Sequence, residues 1–165
     1  MALVASTWLF DPLSDRRHTA VPSFDDIPVG FAIGPREIAV TRADLVRYAG
    51  ASGDFNPIHW SDRYARMGGL PQVIMQGALT MGLANRVLTD WLGDPGAVLE
   101  TSVRCRDAVF VPDDDDDDDD DAGARIVVAA VVAAQLPQRR VRVDFTVTSE
   151  GVKVLSHAKA VVQLV

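Results

Sequence analysis

One segment constrains the fold of this chain more than any other. Between Gly77 and Gly93 the residues Leu79, Met81, Leu83, Ala84, Val87, Leu88, Trp91 and Leu92 leave almost no polar side. A helix that is apolar nearly all round has to lie at the centre of something that covers it. The cover has to come from the rest of the chain, and after Gly93-Asp94-Pro95-Gly96 everything reads as strand. Val103, Cys105, Val109 and Val111 alternate with Arg104, Arg106 and Ala108, with a bulge expected where Asp107 interrupts. Ile126 to Leu136 is nearly continuous Val and Ala, as in a strand covered on both faces. Val141, Val143, Phe145 and Val147 alternate with Arg140, Arg142, Asp144, Thr146 and Thr148, and Glu150-Gly151 turns into a last strand from Val152 to Leu164.

Ahead of the central helix, Thr41-Arg42-Ala43-Asp44 reads as a capping box with Asp in place of Glu. It opens a short helix with Leu45, Val46 and Tyr48 on one face, ended by Gly50 and Gly53. Asp54 to Trp60 is a loop, because Asn56 precedes a proline and is pushed from helical angles. Ser61 caps a second short helix that runs to Met67 before Gly68-Gly69. Helices first and strands after predict an α+β fold, an antiparallel meander packed on the buried helix, with no internal repeat.

The 165 residues fit one domain. Residues 1–23, with Pro12, Pro22 and no periodicity, read as an N-terminal extension, and 24–165 as the domain. The formal net charge of −7 suggests an acidic surface, yet nine of the 23 acidic residues are the run Asp113–Asp121. Without them 16 bases face 14 acids, or +2, so the acidity is one solvated loop. There is no basic stripe for nucleic acid and no run of about 18 apolar residues for a membrane. Met1 to Phe10 lacks the basic start of a secretory signal, and the single Cys105 cannot close an intrachain disulfide. A cytoplasmic setting fits, with Cys105 a packing residue.

Asp54 and His59 lie five residues apart across a proline-stiffened loop, with the amide of Asn56 between them. An acid and an imidazole so placed can hold one water, one group taking a proton while the other supplies one. On spacing alone, a turn capped by Asp54 and Asn56 beside a packed histidine is the slightly stronger reading. Gly77 opens the central helix, where free N–H groups and the helix dipole can polarise a carbonyl; close packing against a neighbour would also explain it.

The stretch Tyr48-Ala-Gly-Ala-Ser-Gly-Asp-Phe-Asn-Pro-Ile-His-Trp60, followed by Gln76-Gly-Ala-Leu-Thr-Met-Gly82, resembles the MaoC-like family of R-specific enoyl-thioester hydratases and dehydratases. Leu79–Gly82 and Trp91–Val98 are similar to the catalytic B-subunit branch of mycobacterial-type (3R)-hydroxyacyl-carrier-protein dehydratases within it. The resemblance implies a hot-dog fold, a sheet wrapped round the long helix, in a homodimer or a heterodimer with another hot-dog subunit. It implies an acyl-CoA or acyl-carrier-protein substrate and no metal or organic cofactor. Asp54 and His59 would be the catalytic pair, Asn56 would support the water, and Gly77 would meet the thioester carbonyl. Many relatives have His where this chain has Gln76, which can bond substrate but not titrate. A non-catalytic hot-dog subunit and a hot-dog thioesterase are the competing readings. The arginines at 104, 106, 125, 139, 140 and 142 are either carrier contacts or the wet face of a sheet.

Overall fold

The structure is a computed structural model in which residues 21–113 and 123–165 are described. The first twenty residues of the expected extension, and the aspartate run apart from Asp113, lie outside them. At the start of the described chain, Val21 packs on the core, the Phe24 N–H donates to the Val165 carbonyl at 2.8 Å and the Val165 N–H to the Pro22 carbonyl at 3.3 Å.

The expected α+β hot-dog arrangement is present. Among the described residues three helices, α1 (Arg42–Ser52), α2 (Asp62–Met67) and α3 (Gly77–Leu92), accompany six strands: β1 (Ala32–Val40), β2 (Val98–Cys105), β3 (Ala124–Leu136), β4 (Arg140–Ser149), β5 (Val152–Lys153) and β6 (Leu155–Gln163). The strands form one sheet in the order β1-β3-β4-β6-β2, with β5 on β4 and every pairing antiparallel. Helix α3 lies against β1, β2 and β3, and the Phe31 and Trp91 rings meet at 6.0 Å near its far end. Leu88 and Leu92 are fully buried; burial of such a side chain contributes about 1.5–3 kcal/mol relative to leaving it exposed.

Several expectations change. The strand β1 was not anticipated: its alternation is interrupted at Gly34-Pro35, where the register with β3 shifts between Ile33 and Arg36. The strand expected over 103–111 is displaced. Pairing with β6 starts at Val98 and stops at Cys105, and the irregularities fall between Val98 and Glu100 and between Ser102 and Arg104 rather than at Asp107. Val109 and Val111 are buried all the same, because their carbonyl and N–H bond Met75 and Val73 of another loop. The meander is also broken, since β2 pairs β6 rather than β3; a long connection separates β2 from β3, so neither has to be the other's neighbour. In β3 buried positions alternate with half-buried or exposed ones, so it is covered on one face only. The expected final strand divides at Val154, whose N–H turns to the Val147 carbonyl at 3.0 Å. Helix α3 shows an exposed stripe of Ala78, Gly82, Arg86 and Asp90, two of them too small to look polar in the sequence.

Candidate active site

The loop after α1 is built by short-range bonds. Gly53 ends the helix in the left-handed conformation, φ 76°, and Gly50 lies inside it. The N–H of Asn56 then donates to Asp54 Oδ1 at 3.3 Å, and Asn56 Oδ1 accepts from the Ile58 N–H at 3.3 Å. Pro57 occupies the first position of the 3-10 turn Pro57–His59, so the loop is preset at both ends. Asn56 thus spends its carbonyl oxygen on the turn, and the donor it can offer a ligand is Nδ2.

His59 is buried, and its Nδ1 lies 2.7 Å from the Ile74 carbonyl. A carbonyl can only accept, so Nδ1 carries a proton, and in the neutral imidazole Nε2 is then the nitrogen with the lone pair. Asp54 Oδ2 stands 3.7 Å from that Nε2, on a carboxylate about half exposed. This exceeds hydrogen-bond length but lets both atoms touch a common third atom. The structure therefore brings Asp54 and His59 together facing one point open to solvent.

The Ile74 carbonyl also ties the pair to the segment that enters α3. Gln76 holds the N-cap position but makes no capping bond. Its buried Nε2 donates to the Leu45 carbonyl of α1 at 3.1 Å, while Oε1 has no hydrogen-bond partner. The opening N–H groups of α3 are consequently left without a side-chain acceptor. A Cβ on Gly77 would come within 2.6 Å of Cys105 Sγ, so close packing accounts for the glycine directly. Cys105 is exposed, although its sulfur rests against this helix start.

Sequence reasoning missed three supports. Ile74 fixes the imidazole, Cys105 borders Gly77, and an Arg42–Asp62 bridge at 2.9 Å braces α2, with Asp62 also accepting the Val73 N–H at 2.9 Å. None has a sequence signal, because each partner is distant along the chain. Burial pushes the Asp62 pKa up, but the Val73 N–H, Arg42 and Arg66 outweigh it and hold the carboxyl below its ordinary value. Ser61 makes no capping bond, so Asp62 does the anchoring. Among the arginines first considered for a carrier, Arg106, Arg125, Arg139 and Arg142 pair with Asp107, Glu37, Asp25 and Asp144.

A family model described as MaoC like domain matches residues 29–115, more than half of the chain. The chain belongs to this MaoC-like family. The MaoC-like segment includes Asp54, Asn56, His59, Gln76 and Gly77, and the family resemblance read from the sequence is borne out. A solved structure of a MaoC-like dehydratase is 37% identical and superposes with a TM-score of 0.82 over 88% of this chain and 43% of its own. The R-hydratase PhaJ1 from Pseudomonas aeruginosa, 24% identical, shares the fold with a TM-score of 0.73 over 87% of this chain and 86% of its own. The 3-hydroxybutyryl-CoA dehydratase of Methylorubrum extorquens is 40% identical over 76 residues, 46% of this chain and 47% of that protein. The peroxisomal enoyl-CoA hydratase 2 of Arabidopsis thaliana is 38% identical over 61 residues, 36% of this chain and 20% of that protein. The chain spans less than half the length of these curated relatives. Among the described residues no helix is long and apolar enough to cross a membrane.

Proposed function

We propose that this MaoC-like domain catalyses the reversible addition of water to trans-2-enoyl thioesters, giving (3R)-hydroxyacyl thioesters, with Asp54 and His59 as the catalytic pair. The observation that carries the reading is the 3.7 Å approach of Asp54 Oδ2 to His59 Nε2, with the other ring nitrogen held on the Ile74 carbonyl. A water between them gives up a proton to one group as its oxygen bonds C3, and the pair returns a proton to C2. Charge that builds on the thioester oxygen is met by the uncapped start of α3 at Gly77, where donors already in place cost no reorganisation. Asn56 steadies the water or the loop, and Gln76 holds the helix start in place against α1. No step calls for a metal or organic cofactor.

The relatives' names, enoyl-CoA hydratase and 3-hydroxybutyryl-CoA dehydratase, support hydration chemistry on a CoA thioester. Because the match covers 43% of the 37%-identical MaoC-like dehydratase, a second hot-dog unit completes the assembly in this reading. The lone Cys105 supports a cytoplasmic setting. Purified protein, alone and with candidate partner subunits, should bleach the conjugated-thioester absorbance of crotonyl-CoA. Asp54→Asn should lower kcat by roughly 10²- to 10⁴-fold, the usual contribution of a positioned acid or base. If wild type and Asp54→Asn are equally inert on short and long chains, the assignment fails; release of free thiol instead would make the protein a thioesterase.

A further inference from the structure

Four of the eleven large apolar side chains that stand exposed among the described residues lie between positions 55 and 67: Phe55 at 63%, Trp60 at 46%, Tyr64 at 44% and Met67 at 72%. They flank the Asp54–His59 pair, and the proposed chemistry uses none of them. Trp60 is tethered, and both its ring and that of Tyr64 are partly exposed. The Trp60 indole N–H donates to the Phe55 carbonyl at 3.2 Å, and the Tyr64 ring lies 6.4 Å away tilted by 58°, so the two rings do not stack on each other. A cation accompanies them, for the Arg63 guanidinium lies 6.0 Å from the Tyr64 ring centre. Arg66, with a side chain 66% exposed, lies on the same helix, 4.0 Å from Asp62.

Exposed aromatic rings, one of them tethered, beside guanidinium groups suit a ligand that is flat at one end and anionic next to it. Stacking supplies attraction for any base, and arginine supplies bonds to phosphate. The rings also stand next to the pair, since Trp60 directly follows His59 and Tyr64 lies on α2, which packs against the Pro57–His59 turn. A thioester whose carbonyl lies at Gly77 has a long pantetheine arm that must leave the site, and in CoA that arm ends in adenine and phosphates. A carrier protein presents the arm without a base.

We propose that Trp60, Tyr64 and Arg63 form the binding site for the adenosine 3′,5′-bisphosphate end of CoA, so that the domain works on CoA thioesters rather than carrier-protein thioesters. This rests on the thioester reading above, and the test separates the two. Trp60→Ala is compared with wild type on crotonyl-CoA and on crotonyl-N-acetylcysteamine, which lacks the nucleotide. Loss of one base–aromatic stack should raise KM for the CoA substrate roughly 5- to 100-fold more than for the truncated one, with Trp60→Phe retaining most of the wild-type affinity. Binding of adenosine 3′,5′-bisphosphate, followed by calorimetry and so independent of turnover, should weaken by the same factor. Wild type that binds the bisphosphate but hydrates neither substrate would overturn the chemistry and leave the nucleotide site standing. Absent bisphosphate binding, or equal KM changes on both substrates, overturns the nucleotide site alone. A drop in oligomer size for Trp60→Ala, with bisphosphate binding intact, assigns the patch to a protein contact and equally overturns it.

Discussion

Helices α1 and α3 open in opposite ways. At α1 the Thr41 side chain accepts the Asp44 N–H at 3.3 Å and the Asp44 carboxylate accepts the Thr41 N–H at 2.9 Å, so the chain fills its own orphan donors. At α3 the cap position holds Gln76, whose amide bonds Leu45 of α1 instead and makes no capping bond to the helix start. One end is finished by its own residues; the other is left for something else to finish. A cap is typically worth about 1 kcal/mol, so the open end of α3 forgoes stability at a place where the helix dipole favours negative charge. Gln76 connects the two ends, which lets the closed helix hold the open one in position.

Of the changes that bear on this contrast, the largest expected effect comes from removing the N–H of residue 77 while keeping the helix. Gln76 has φ −61° and ψ 131°, the extended conformation a following proline requires, and proline is well tolerated at a first helical position. A new Cβ would lie 2.6 Å from Cys105 Sγ but 3.8 Å from Cys105 Cβ, so the change belongs in a Cys105→Ala background. Gly77→Pro with Cys105→Ala should reduce kcat/KM by roughly 10²- to 10³-fold relative to Gly77→Ala with Cys105→Ala, the cost of one lost oxyanion donor. Gly77→Ala alone, overpacked against the sulfur, should lose about 1–3 kcal/mol of stability and regain it when Cys105 is shortened. Equal rates for the proline and alanine double variants would erase the difference between the two helix starts.

At α1 the same kind of intervention should act on stability and not on rate. Thr41→Ala breaks the capping box and should cost about 1 kcal/mol, or roughly 2–4 °C in Tm for a domain of this size. Denaturant unfolding measures it, and kcat on crotonyl-CoA should not fall in parallel. If Thr41→Ala slows turnover as much as the proline variant does, α1 is part of the chemistry and the division is wrong.

What could be read from the sequence follows the range of the forces involved. The capping box, the αL end at Gly53 and the Asn56-Pro57 turn are local, and each appears where the residues place it. Asp54 and His59 were legible as a pair for the same reason, being joined by one short loop. The stripe Ala78, Gly82, Arg86 and Asp90 on α3 was hidden because small residues look apolar whether covered or not. The edge strands β1 and β2 were missed or misplaced because neither shows clean alternation: their burial patterns are mostly exposed, with few positions forced inward. The contacts that finish the site, Ile74 on His59, Cys105 on Gly77 and Gln76 on Leu45, join residues that only the folded chain makes neighbours.

Helix α2 opens in a third way, and its effect should be the smallest and the most dependent on pH. Ser61 does not cap it; Asp62 instead anchors its start to the Val73 N–H and to Arg42 of α1. Burial raises the Asp62 pKa, yet the bond from Val73 and the charges of Arg42 and Arg66 bring it below its ordinary value. A carboxyl with a depressed folded-state pKa adds stability that is fully present above its unfolded value, about 3.9, and is lost as pH falls through the folded value. Wild type should therefore exceed Asp62→Asn in stability at neutral pH, and the gap should shrink steadily in denaturant titrations as pH drops below about 4. A gap that stays constant from neutral pH into that acid range would mean that Asp62 supports α2 by shape alone, leaving its charge without a role in placing the loop that carries His59.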